Sequence, residues 1–345
     1  MLEAMKICVA GAALALAITV ATAWAQPPAV AAPAAPACGW TAGAIGYRLI
    51  PFKDSRKAAV WYPSSSPQTS FAYSKDISTT LADDGAAQTG CGRFPLVVFA
   101  HGLLGCGSQA IFFTEALARF GYVVVAPDYL DAGLCRLEAP SRSAGMVKEM
   151  SVFKPEDWEP TTYADRMEDT EAIITLIAHD PTFGPIVDDA RTGIAGHSLG
   201  GYTAQGLAGG WPSWRDPRVK AVLLFSPYSL PFLVRGTLGG VKVPLMYQGA
   251  QGDIGMTPFL EGPNGAYTHS NAPKYFVRLY GGSHLSWTNA VCAGYRVVAA
   301  CLKSDQAAQL IDEYGIAFFE KYLKGRNQPL LEGRGPGLSA YLYQE

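Results

Sequence analysis

The run Gly196-His197-Ser198-Leu199-Gly200-Gly201 constrains what this 345-residue chain can fold into more than any other feature. It sits between a short apolar run, Thr192 to Ala195, and a stretch with helical spacing, Leu199 to Leu207. A chain that passes from strand to helix with glycine on both sides of one serine turns too tightly for side chains at the flanking positions. Such a turn thrusts the serine out at the edge of a sheet, the setting that a nucleophile elbow requires. A bare G-x-S-x-G pattern occurs in many glycine-rich turns; the flanking strand and helix, with the second glycine, give it weight here.

The rest of the chain repeats the strand-to-helix rhythm. Lys57–Tyr62, Phe94–Ala100, Tyr122–Ala126, Val219–Phe225, Val243–Tyr247 and Tyr275–Tyr280 read as strands, several of them continuously apolar. Ser108–Phe120, Thr161–His179 and a last stretch from about Asp305 to Leu323 have helical spacing. This alternation predicts an α/β fold with a mostly parallel central sheet flanked by helices on both faces. Two long stretches rich in Gly, Pro and Ser, Ser64–Gly92 and Tyr129–Pro160, read as loops. The second follows a strand's carboxyl end, where open α/β sheets bind ligands.

Lys6 precedes an apolar run from Ile7 to Val20, followed by Ala23-Trp24-Ala25. Positive charge, short apolar stretch and A-x-A site form a secretory signal, too short for a membrane span. The expected division is therefore residues 1–25 as signal peptide, 26–40 as an Ala/Pro-rich disordered spacer and 41–345 as a single catalytic domain. That places the mature chain in the periplasm or outside the cell, with no stable membrane anchor. Six cysteines remain after the leader, an even number that fits disulfides in an exported chain. The expected pairs are Cys292–Cys301, then Cys38–Cys91 and Cys106–Cys135. With 49% apolar residues the chain has material for one large core, and its net charge of −2 offers no basic footprint for nucleic acid.

Partners for Ser198 follow by elimination. In a fold built around such an elbow the order is serine, then acid, then histidine. Of the five histidines, His101 and His179 precede the serine, His197 is locked beside it, and His269 lies in a polar loop. His284 leaves the end of a buried strand through Gly281-Gly282-Ser283 and is the expected base. Only Asp216, Asp253 and Glu261 lie between Ser198 and His284. Asp216 precedes a strand, and Glu261 comes well after the strand exit. Asp253 follows its strand by one loop and is the expected acid. An oxyanion needs two preorganised N–H groups. These are expected from Leu199 and from the loop His101-Gly102-Leu103-Leu104-Gly105, with Leu103 favoured over Leu104. Tyr228 and Trp287, with Leu103, are candidate pocket-lining residues. The chemistry is acyl transfer through Ser198, with no metal or organic cofactor, by a monomer acting on small-molecule or polymeric esters.

The strand followed by His-Gly-Leu-Leu-Gly, the Gly-His-Ser-Leu-Gly-Gly elbow, Asp253 and Tyr280-Gly-Gly-Ser-His284 together resemble α/β-hydrolases of a particular group. These are the predicted dienelactone hydrolases and platelet-activating-factor acetylhydrolase-like esterases, and the likeness covers roughly Ala58 to Gly325. Val60 to Pro63 and the approach to the elbow from Asp188 also look like that group. Pro244 to Asn289 is similar to bacterial cutinases and polyester (PET) hydrolases. The resemblance implies a carboxylic ester hydrolase, with a cutinase-like polyester hydrolase as the alternative. It departs from dienelactone hydrolases proper, which use cysteine where this chain has Ser198. It departs from cutinases in its oxyanion loop and in the long stretch Tyr129–Pro160. A non-catalytic binding protein on the same fold is the reading from another class.

Overall fold

In the computed structural model the structure describes Cys38, residues 40–133 and residues 152–345. The expected signal peptide, all but the end of the spacer, most of the Tyr129–Pro160 stretch and the Cys106–Cys135 pairing lie outside the described residues.

The described strands are β1 (Ile45–Pro51), β2 (Lys57–Pro63), β3 (Thr69–Ser74), β4 (Ile77–Asp83), β5 (Phe94–Ala100) and β6 (Val123–Pro127). They continue with β7 (Val187–His197), β8 (Val219–Phe225), β9 (Leu245–Ala250), β10 (Lys274–Leu279) and β11 (Leu338–Gln344). The helices are α1 (Ile111–Arg119), α2 (Ala164–His179), α3 (Leu199–Gln205), α4 (Leu230–Arg235), α5 (Ala266–His269), α6 (Val298–Ser304) and α7 (Gln306–Lys324). All strands join one sheet in the order β11-β10-β9-β8-β7-β5-β6-β2-β1-β4-β3. From β10 to β6 every neighbouring pair is parallel, and antiparallel pairs enter at β2/β6 and β10/β11.

The continuous apolar runs have a simple cause. In β5, Val97 and Phe99 face a core shared with α1 and α7, while Leu96 and Val98 face a second core built with α2 and α3. In β6, Val124 and Ala126 face the first core, and Val123 and Val125 the second. A strand covered on both faces has no polar side to show. β5 and β8 run as the sequence predicts, residue for residue; most other boundaries move by one to a few residues, as cap geometry is poorly written in sequence.

Ser64–Gly92 corrects the reading of that stretch as a loop. It folds into the β3/β4 pair, with Leu81 and Tyr73 buried, at the far edge of the sheet from the elbow. The polar residues there are the solvent face of an edge hairpin. β11 was not anticipated either; it pairs with β10 and closes the other edge. Cys38–Cys91 and Cys292–Cys301 are disulfide-bonded, as the sequence suggests. No described helix is long and apolar enough to cross a membrane.

Candidate active site

Because β5 and β7 to β10 are parallel, the loops leaving their carboxyl ends all open at one rim of the sheet. Ser198 leaves β7 there, Ser226 leaves β8, Asp253 follows β9 and His284 follows β10.

Ser198 sits at φ 53°, ψ −114°, a left-handed conformation that side chains rarely adopt. The turn is held by hydrogen bonds from the Ser198 amide to Phe225 O (2.9 Å) and from the Tyr228 amide to Ser198 O (2.9 Å). Its glycines are sterically required. A Cβ on Gly200 would lie 1.9 Å from Ala100 O, and one on Gly196 would lie 2.2 Å from Gly200 O. Leu199 is the first residue of α3, so its amide has no carbonyl four residues back inside the helix.

His284 lies against the elbow. His197, fully buried, donates from Nε2 to the His284 carbonyl (2.8 Å), and the two rings are 4.8 Å apart between centroids. Since Nε2 carries the proton, Nδ1 of His197 accepts from Gln109 Nε2 (2.7 Å). Burial and the neighbouring His284 lower the His197 pKa to about 3, so this ring is a neutral connector. Gln109 Oε1 in turn accepts from the Gly102 amide (2.7 Å). Three loops are thereby tied through one imidazole and one amide side chain.

On its far side the His284 ring meets two oxygens. Nδ1 is 2.9 Å from Ser226 Oγ and 3.4 Å from Asp253 Oδ2, and Ser226 Oγ donates in a short hydrogen bond to that same carboxylate oxygen. Asp253 and Ser226 are buried while His284 is half-exposed. Burial by itself would raise the Asp253 pKa, but hydrogen bonds from His284 and Ser226 hold it below the ordinary carboxylate value.

The loop after β5 is built on Arg166, a fully buried residue of α2. Its guanidinium donates to His101 O (2.7 Å), Gly102 O (3.2 Å) and both oxygens of Asp131 (3.0 and 2.7 Å). Asp131 accepts from the Leu104 amide (3.1 Å) and fixes Leu104 at φ 57°. Burial pushes the Asp131 carboxyl up, but Arg166 outweighs it and the pKa falls to about 2. The Leu104 amide is thus committed, whereas no hydrogen bond of the Leu103 amide occurs among the described residues.

The other sequence candidates fall elsewhere. Asp216 is paired with Arg218 at the opposite end of β8, and Glu261 is bonded to Arg278 through both oxygens. His101 is buried inside its loop, accepting from the Tyr129 amide at Nε2. Trp287 is a correction: it is fully buried, donates to Gln248 Oε1 (3.0 Å) and stacks beneath His197, so it supports the site and does not line it. Tyr228 is nearly buried, with its hydroxyl donating to Val152 O (2.6 Å). Ser226, Gln109 and Arg166 were missed by sequence reasoning. Ser226 alone carries a usable signal, being the first polar residue after an apolar strand at the same rim.

No curated protein matches this chain. Its structure is similar to that of a ferulic acid esterase from Streptomyces cinnamoneus, with a TM-score of 0.62 and 21% identity over 90% of this chain and 98% of that one. At that identity the likeness speaks for the fold. A model of the alpha/beta hydrolase family matches residues 97–324, from within β5 to the end of α7, a span that contains the elbow, Ser226, Asp253 and His284. Agreement of sheet order, elbow geometry and family match leads to one assignment: the chain belongs to the alpha/beta hydrolase family.

Proposed function

We propose that this protein is a serine-dependent carboxylic ester hydrolase working through an acyl-enzyme on Ser198. The observation that carries the reading is the convergence at one rim of a serine held at φ 53° and a histidine backed at Nδ1 by a buried carboxylate. In this mechanism Nε2 of His284 takes the Ser198 proton as Oγ attacks the ester carbonyl. The tetrahedral oxyanion is met by the amides of Leu199 and Leu103. The imidazolium returns the proton to the leaving alcohol, and water hydrolyses the acyl-enzyme through the same base. With serine at position 198, the finer placement is nearer the platelet-activating-factor acetylhydrolase-like esterases than the dienelactone hydrolases.

The test is turnover of p-nitrophenyl acyl esters by the purified protein and its Ser198→Ala variant, across a series of acyl lengths. Hydrolysis that disappears in the variant supports the proposal. Equal background from both proteins refutes it and leaves the non-catalytic binding reading.

A cutinase-like reading is favoured by one observation. Leu103, itself a proposed site residue, and Leu104, Ile254 and Leu285, each next to one, are exposed large apolar side chains. Such side chains suit contact with an apolar, aggregated substrate. Mass loss from a polyester film, compared with hydrolysis of a soluble ester, separates the two. We also propose export: two disulfides suit an oxidising compartment. Residues 1–25 are then a cleaved leader, which N-terminal sequencing of the mature protein checks.

A further inference from the structure

We infer that Ser226 is a positioning residue that couples Asp253 to His284 and dictates which nitrogen of His284 is free to act as base. The inference rests on the ester-hydrolase reading and adds a fourth side chain to it.

The argument starts from the number of hydrogens on a hydroxyl. Ser226 Oγ carries one proton, and the short contact to Asp253 Oδ2 uses it, because an ionised carboxylate only accepts. Toward His284 Nδ1, 2.9 Å away, Oγ can then offer only lone pairs. Nδ1 must therefore bear the hydrogen. A neutral imidazole has one N–H, so Nε2 is left with its lone pair outward. The direct line from Nδ1 to Asp253 Oδ2 is 3.4 Å, long for a charge-assisted hydrogen bond. The shorter route from carboxylate to imidazole runs through the hydroxyl.

Ser226 is built to stay there. It has no exposed surface, so bulk water does not compete for Oγ. Its amide donates to Gln248 O (2.8 Å), fastening the end of β8 to β9, the strand that leads to Asp253. Its backbone lies at φ 42°, in the left-handed region where glycine would be at ease and a side chain is tolerated at a cost. A serine kept in a glycine position, with both hydrogen-bonding roles of its hydroxyl directed at the acid and the base, is doing more than filling space. Throughout the proposed cycle Ser226 keeps its own proton and forms no bond to substrate.

The experiment compares steady-state kinetics of the wild type, Ser226→Ala, Asp253→Asn and the double variant on a soluble p-nitrophenyl ester. A hydrogen bond to a charged group is expected to be worth about 10- to 100-fold in kcat here, with KM changed less than about threefold. In the Asp253→Asn background the same substitution should cost less than about threefold, since the partner it serves is gone. Ser226→Gly provides a control for folding, because φ 42° suits glycine; it should fold and lose kcat as Ser226→Ala does. In ¹⁵N NMR of histidine-labelled protein, wild-type His284 should be the Nδ1–H tautomer, and Ser226→Ala should show a mixture. Wild-type activity kept in Ser226→Ala, additive losses in the double variant, or an unchanged tautomer would each overturn the inference. An inactive wild type would instead refute the ester-hydrolase reading, and the Ser226 role with it.

Discussion

Replacing Gln109 by alanine tests whether the loop after β5 is aligned with the rest of the site through His197. The wild-type side chain accepts from the Gly102 amide at 2.7 Å and bonds His197 Nδ1 at 2.7 Å. Alanine strands one buried donor and one buried acceptor, each worth about 1–3 kcal/mol. The nearby Leu103 is 41% exposed, so water reaches part of this loop and the lower half of the summed range, about 2–4 kcal/mol, is expected as lost stability. If the Leu103 amide swings away with the loop, one oxyanion donor is lost as well. That costs about 10²–10³ in kcat, with KM changed little because the effect falls on the transition state. Urea unfolding and p-nitrophenyl ester kinetics on the same preparations measure both quantities. A variant that loses the stability but keeps kcat within about threefold would refute the reasoning, since the loop would then hold its alignment without Gln109.

Two further outcomes concern Asp312 and the disulfides. Asp312 on α7 is buried with Oδ1 lacking a partner among the described residues, and burial, with Glu313 and Glu115 nearby, raises its pKa well above the usual value. A raised folded pKa gives stability that is complete below the unfolded value of about 3.9 and drains away as pH rises through the folded one. Asp312→Asn should therefore match the wild type at pH 3.5 and exceed it at pH 8 by at least about 1.4 kcal/mol, one pKa unit's worth; equal unfolding curves at pH 8 would sink this. Of the two disulfides, Cys38–Cys91 spans 53 residues and Cys292–Cys301 spans 9. Chain entropy gives about 4 and about 3 kcal/mol, so the paired Cys→Ala replacement at 38 and 91 should lower Tm more than the one at 292 and 301.

What the sequence showed and what it hid have physical reasons. β5 was legible end to end because a strand buried on both faces is written as an unbroken apolar run, and β8 because only the exposed Lys220 near its start interrupts one. Ser198, Asp253 and His284 could be named as candidates because the elbow singles out one position and chain order eliminates most rivals for the others; the structure places all three after strands that end at one rim. β3 and β4 were hidden because a hairpin at the edge of the sheet shows polar residues to solvent, and its turn residues dominate a reading by composition. Gln109 and Arg166 were hidden for a different reason. Each acts on a main-chain carbonyl or amide in a loop distant in sequence, and no local pattern records which backbone group a glutamine or arginine will find. Trp287 was misread because a tryptophan beside the proposed base looks the same in sequence whether it faces the opening or the core.

The crowding around Gly196, Gly200 and Gly201 has a consequence for how such a molecule can change. A single methyl group at these positions would collide with carbonyl oxygens or with Pro227. The pivot that carries Ser198 is therefore closed to substitution, while the side chains on the surrounding loops are not. New substrate preferences in proteins of this build should arise by exchange of the collar, residues such as Leu103, Ile254 and Leu285, around a centre that stands still.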